Sequence, residues 1–293
     1  MKKSRASTKR ANRHYQLRIR TVVVCVLFVI CSALSVSFSC AASPERIVTL
    51  APSMTEMVFA AGLGDRLVGV TNYCDFPEEA KHKSKIGGMS NPSLEAVVSL
   101  KPDIVIMTTN GNPKEFEQRL QSMDIRTHVF RARTIAQLPD GIRKLGEALD
   151  ENTRFNTMAL EIESAFASIR AHRKVSAKKV IFMIWPEPLM VAGPGTAISD
   201  AIALIGAKNI AADAKIQYPK YSIEEIVRRS PDIIFIGKAS GMDMRKAAEG
   251  LLKRISYIPA VQNRKVFYVS DNLYRLGPRV IPGIKELARY IND

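Results

Sequence analysis

The sequence predicts an α/β protein built from two parallel-sheet lobes, and three observations carry that expectation. One stretch is written twice: residues 93–107 read SLEAVVSLKPDIVIM and residues 222–236 read SIEEIVRRSPDIIFI. Short apolar segments rich in β-branched residues alternate with helical patterns along the chain, as in crossover-connected parallel strands. Between the two copies, Asn152 to Arg173 is a long run without glycine or proline, with apolar residues at helical spacing.

Each copy of the repeat has the same local physics. Ser93 and Ser222 are helix N-caps, since a hydroxyl can accept a bond from a free first-turn amide. Glu95 and Glu224 follow in the first turn, where the helix dipole favours negative charge. Pro102 and Pro231 end the helices by pushing the preceding residue out of the α region. Ile104 to Met107 and Ile233 to Ile236 then read as buried central strands.

The remaining elements follow in order. Arg46 to Leu50 is a strand ending at Pro52, and Ser53 or Thr55 caps the next helix, which runs to Gly62. Leu67 to Thr71 is a strand, Tyr73 to Pro77 a loop, and Ile86 to Pro92 a flexible segment by composition. Glu115 to Met123 is helical, His128 to Arg131 a strand, and Ile135 to Leu149 a helix. Asn152 caps the long helix, a candidate rod between the lobes. In the second half, Lys179 to Ile184 is a strand, and Ser199 with Asp200 opens a helix that stops at Gly206. Helix Asp243 to Arg254, strand Lys265 to Val269 and helix Pro282 to Ile291 complete the chain. The expected organisation is an N-terminal lobe over 43–150, a connecting helix over 151–176 and a C-terminal lobe over 177–293.

The formal charge of +15 suggests nucleic acid, but it is local. Eight of the 43 basic residues precede residue 21 and no acid precedes Glu45; without those eight, 35 basic residues face 28 acidic ones. A balance of +7 is that of a mildly basic soluble protein, so no nucleic-acid partner is inferred. The first 42 residues read as an export signal: a basic stretch, an apolar run from Thr21 to Phe38, then small residues. Cleavage after Ala42, retention as a membrane anchor, and lipidation at Cys40 all place the rest outside the cytoplasmic membrane. Cys25, Cys31 and Cys40 fall in this leader, so Cys74 alone remains after cleavage and no internal disulfide can form.

There is no P-loop, no G-x-G-x-x-G after a strand and no G-x-S-x-G elbow. The four histidines, His14, His82, His128 and His172, are scattered and do not form a metal-ligand pattern. These absences favour a binding protein over an enzyme, with no catalytic residues and no metal site. A secreted enzyme or metal-dependent adhesin would require converging histidines and carboxylates, and a structural lipoprotein would have a closed cleft.

The order RIVTL, APSMTE, GLGDRLVGV, YCDFP, KIGGMSNPSLE and LKPDIVI resembles one family closely: the periplasmic cobalamin-binding proteins of ABC importers, in the class that also binds haem and ferric siderophores. YPKYSIEEIVRRSPDIIFI and IPAVQNRKVFYVSDNLYRLGPR extend the resemblance through the second half. It implies two α/β lobes joined by one long helix, with the ligand in the cleft between them. It further implies a periplasmic monomer that passes cobalamin, as transported ligand and not as cofactor, to a permease dimer. Haem or a ferric siderophore is the alternative cargo. Glu95 and Glu224 match the family's acids, one per lobe, that dock onto permease arginines. Tyr73 and Tyr218 match ligand-contacting aromatics, while Met89 and Thr108 stand where the best-known cobalamin binder has Trp. Trp185, in the segment WPEP, and Arg275, beside Tyr274, are the remaining candidate ligand contacts.

Overall fold

The computed structural model describes residues 43–238 and 242–292. The leader over 1–42, with Cys40, lies outside them. Five strands form the first sheet: β1 (Ile47–Thr49), β2 (Leu67–Val70), β3 (Ser84–Lys85), β4 (Ile104–Thr108) and β5 (Thr127–Phe130). Their spatial order is β3-β2-β1-β4-β5, and every pairing is parallel. The second sheet holds β6 (Lys179–Pro186), β7 (Leu189–Val191), β8 (Lys208–Asn209), β9 (Ile233–Gly237) and β10 (Val266–Val269). Its order is β10-β9-β6-β7, with β8 also on β6. It is parallel except for the β6/β7 hairpin, so the expected all-parallel second lobe is corrected at one edge.

Helices cover both sheets: α1 (Pro52–Ala60), α2 (Leu94–Ser99), α3 (Lys114–Gln121), α4 (Leu138–Leu149), α5 (Asn152–His172), α6 (Ala197–Leu204), α7 (Ile223–Arg229), α8 (Met244–Arg254), α9 (Pro259–Gln262) and α10 (Val280–Asn292). The chain leaves the first sheet after β5 and enters the second at β6, passing through α4 and the 21-residue α5. Phe155, Met158, Ala159, Ile162 and Phe166 of α5 are buried, the face its periodicity predicts. Arg143 of α4 grips Glu163 of α5 with two bonds of 2.9 and 2.8 Å.

The repeat folds the same way twice, down to single atoms. Ser93 Oγ accepts from the Ala96 amide and Ser222 Oγ from the Glu225 amide, both at 3.2 Å. Lys101 and Ser230, each just before the proline, both take φ of 47°. Asp103 then accepts the Arg46 amide at 2.9 Å, and Asp232 accepts the Lys179 amide at 2.6 Å. Arg46 returns the bond to the Leu100 carbonyl closing α2, and Lys179 to the Arg229 carbonyl closing α7. The Pro-Asp pair is therefore a joint. It ties the end of a helix to the start of the sheet's central strand and sets β4 beside β1 and β9 beside β6.

Three expected caps are corrected. α1 starts at Pro52, whose fixed φ suits a first helical position, and Ala51 precedes it without a side-chain cap. The Thr55 hydroxyl turns inward instead, 2.6 Å from Thr49 Oγ1 and 3.0 Å from the buried Cys74 sulfur. α6 is capped by Thr196, whose hydroxyl accepts from the Ser199 amide. Asp200 reaches out of the helix to accept the Ile135 amide at 3.0 Å, a bond between the two halves of the chain. Likewise Glu151, not Asn152, precedes α5, and its carboxylate pairs with Arg66 and Arg154. The segment expected to be flexible, 86–92, is a tight turn closed by a bridge between Gly87 and Pro92.

His128, on β5, takes up a proton far less readily than an ordinary histidine. Burial, with Arg131 and Arg126 nearby, lowers its pKa from 6.5 to about 4. The unfolded chain therefore takes up this proton first, and stability is expected to decline as pH falls from 6.5 towards 4. Discounted for partial exposure, the loss is on the order of 2 kcal/mol. NMR titration of His128, with denaturation curves of wild type and His128→Asn at several pH values, checks this. A folded midpoint near 6.5 would refute it.

Candidate functional site

The parallel strands of both sheets point their carboxyl ends at one cleft, the usual place for ligands in open α/β sheets. It encloses about 630 Å³ and is walled in equal share by the two halves. Thr108 ends β4 and Phe130 ends β5 on one wall, while Ile184 and Trp185 of β6 and Lys238 after β9 stand on the other.

All six residues expected to touch a ligand line this cleft. Tyr73, on the loop after β2, stands with 61% of its surface exposed. Met89 follows β3, and its terminal methyl fills the space beside Gly111, where a β carbon would lie 2.5 Å away. Gly111 also holds φ of +118°, which a side chain would strain. Thr108 is 6% exposed, and its hydroxyl accepts from the Asn110 amide, so it forms floor rather than surface. Trp185 lies within β6 rather than in a strand-end loop, because β7 pairs back onto that strand. Its indole N–H donates to the Glu187 carbonyl at 2.9 Å. Tyr218, also from the second half, is half-exposed just before Pro219.

Arg275 reaches the cleft wall, but its guanidinium is committed elsewhere. One nitrogen donates to Glu56 and to Asp75, each at 2.7 Å, and another to Asp271 at 3.0 Å. Arg279 repeats the pattern, bonding Glu56 at 3.1 Å and Asp271 at 3.0 Å, and its guanidinium lies over the Phe76 ring. Burial pushes the Glu56 carboxyl above the ordinary glutamate range, against the pull of both arginines. Burial also works to raise Asp75, but there the bond and charge of Arg275 outweigh it and hold the carboxyl low. With Asp271 and Arg275 neutralised in this cluster, the other charged residues of the wall are cations, Arg133 from the first half and Lys238 from the second.

Several site residues escape a reading of the sequence. Asn112 donates to the Leu50 and Met89 carbonyls and accepts the Thr108 amide, stapling three loops of the first wall together. Its only local sign is the polar cluster TTNGN after a strand. Glu56 looks like an ordinary helix acid until its partners appear. Tyr274 packs edge-on against Phe182, ring centres 5.9 Å apart, with its hydroxyl buried and unbonded against Gly237. Burial, with Tyr218 and Asp271 nearby, drives that hydroxyl well above the ordinary tyrosine range.

Glu95 and Glu224 are both exposed, in the first turns of α2 and α7. The C-terminal carbonyls of these helices are held by Arg46 and Lys179, at the amino ends of β1 and β6. Their first turns therefore point towards the carboxyl ends of the strands, the side on which the cleft lies. Its own backbone amide and the Ser222 hydroxyl hold the Glu224 carboxyl below the ordinary range.

Among the described residues no three His, Cys, Asp or Glu side chains group as a metal site, and no helix is long and apolar enough to cross a membrane. The sequence pattern of periplasmic binding proteins matches residues 47–273. A vitamin B12-binding protein of Salmonella typhimurium is 30% identical over 250 residues, 85% of this chain and 90% of its own length. One from Photorhabdus laumondii is 27% identical over 88% of this chain and 92% of its own. The crystal structure of the periplasmic vitamin B12-binding protein BtuF of Vibrio cholerae superposes with a TM-score of 0.76 at 26% identity, covering 85% of this chain and 97% of that one. The periplasmic heme-binding protein RhuT from Roseiflexus sp. RS-1 does so at 0.77 and 28%, covering 84% and 97%.

Proposed function

The chain belongs to the periplasmic binding protein family, and on that footing we propose that it captures cobalamin outside the cytoplasmic membrane and delivers it to the permease dimer of an ABC importer. The observation that carries this is the cleft itself: a large apolar-walled space shared by two lobes, on a chain similar along most of its length to vitamin B12-binding proteins. The leader over 1–42 exports the protein. The lobes are 43–150 and 177–293, with 151–176 as the rod between them. The protein binds and hands over its cargo without altering it, and works as a monomer.

Each wall has a part in capture. The Tyr73, Tyr218 and Trp185 rings offer broad apolar faces with polar tips to a flat macrocycle. Met89 adapts its unbranched side chain to the ring edge, and Thr108 closes the floor. Arg133 and Lys238 meet an acidic group on the ligand. Glu95 and Glu224 present the loaded protein to basic residues of the permease. Haem is the second reading, favoured by the likeness to RhuT and by phenols at the cleft.

Titration of the purified protein with cobalamin, haem and a ferric siderophore, followed by absorbance and calorimetry, decides between them. Cobalamin is expected to bind with 1:1 stoichiometry and a Kd at or below about 1 μM, equivalent to roughly 8 kcal/mol. A Soret shift with haem and no heat with cobalamin would overturn the assignment in favour of haem.

A further inference from the structure

The segment from Asp271 to Arg279 belongs to the second lobe by chain order, yet it lies across the first. Gly277 sits over Met57 of α1, with space for a β carbon 3.6 Å from that side chain. Arg275 bonds Glu56 of α1 and Asp75 of the loop after β2, while Asp271 on its own lobe holds its other side. Arg279 shares Glu56 and Asp271 and covers Phe76. Arg275 is 9% exposed and Glu56 3%, so the pair between them is protected from solvent, while Asp75 remains half-exposed. The two arginines thus tie three carboxylates, two of them from the first lobe, at the base of the cleft.

We propose that Arg275 and Arg279 form a latch that sets the angle between the lobes, acting on the ligand through cleft geometry and not by touching it. Among the described residues, the carboxylates that face the two guanidiniums are Glu56 of α1, Asp75 of the first-lobe loop and Asp271 of the segment itself. A ligand group that drew Arg275 away from Glu56 would deprive a buried carboxylate of one of its partners. The economical role is therefore positional: the latch holds the cleft ready before ligand arrives, and opening the lobes for release requires breaking it. A second tie, from Asp200 to the Ile135 amide, joins the halves elsewhere, so loss of the latch loosens the lobes without separating them.

The test measures lobe geometry in the ligand-free exported protein, with spin labels on ketone-bearing amino acids at positions 119 and 253, one exposed site per lobe. The wild type is expected to show one narrow distance distribution, and Arg275→Ala a longer and broader one. Glu56→Gln, which alters the first lobe alone, should reproduce the broadening, and Arg275→Lys should restore it in part. Cobalamin dissociation from Arg275→Ala should be at least tenfold faster, with the association rate little changed. Unchanged distances in both Arg275→Ala and Glu56→Gln would overturn the latch, and weakened binding with unchanged distances would make Arg275 a ligand contact instead. The inference rests on the capture reading for the release rate only. If wild type failed to bind cobalamin while the distances still responded, the latch would stand and the ligand assignment would fall.

Discussion

Reversing both acids proposed to dock, Glu95→Arg with Glu224→Arg, is expected to reduce cobalamin uptake by more than tenfold while leaving ligand Kd within about twofold. Both residues are exposed, in helix first turns on the cleft side, and neither lines the cleft. Like charges placed across a protein interface cost several kcal/mol, and each 1.4 kcal/mol is a factor of about ten in affinity. Complementary charge also steers encounter, so single reversals should lower uptake by less and make it more dependent on salt. Uptake is measured with labelled cobalamin in cells lacking their own binding protein, and Kd by calorimetry on the same variants. Transport by the double reversal at the wild-type rate would exclude docking through these acids, whatever the ligand.

Gly237→Val should be the most damaging single change in the second wall. A β carbon built on Gly237 falls 1.7 Å from the Tyr274 hydroxyl and 2.5 Å from the ring carbon that bears it. No rotation of valine relieves a collision made by the β carbon itself, so the Tyr274 ring must leave its place against Phe182. Overpacking of this kind costs about 1–3 kcal/mol or somewhat more. At roughly 2–4 °C per kcal/mol for a chain of this size, Tm should fall by about 2–12 °C. Tyr274 lines the cleft, so moving its ring changes the wall, and cobalamin affinity is expected to drop by tenfold or more. Tyr274→Phe is the control. It removes a buried hydroxyl that makes no bond, and its stability should match or exceed wild type. A Gly237→Val protein with unchanged Tm and Kd would show that the wall yields where the geometry says it cannot.

The doubled stretch shows how much of such a protein can be read before it is folded. Ser93 and Ser222 cap their helices as expected, Pro102 and Pro231 follow the helix ends, and the strands after them are fully buried. The expectations failed at α1 and α6, where Thr55 and Asp200 had better use for their oxygens than a cap. Thr55 bonds across to Thr49 and Cys74, and Asp200 to the Ile135 amide. Trp185 was expected beyond a strand end because WPEP reads as a break, but the hairpin partner β7 extends β6 through it.

The sequence by itself determined the two α/β halves, the long helix between them, and the serine caps, proline stops and buried strands of the doubled stretch, whereas the bonds from Asp103 to Arg46 and from Asp232 to Lys179 span more than fifty residues and came from the fold. Caps, turns and periodicity act over ten residues or fewer, and a string of letters displays such neighbours directly. Tertiary structure alone decided that Glu56 meets Arg275, 219 residues away, and that Asn112 gathers the ends of three loops. It also decided that Tyr274 would lie where Gly237 lacks a side chain. A charge or hydroxyl far along the chain has no local pattern to announce its partner, and only the closed fold, by taking both out of water, makes the pairing compulsory.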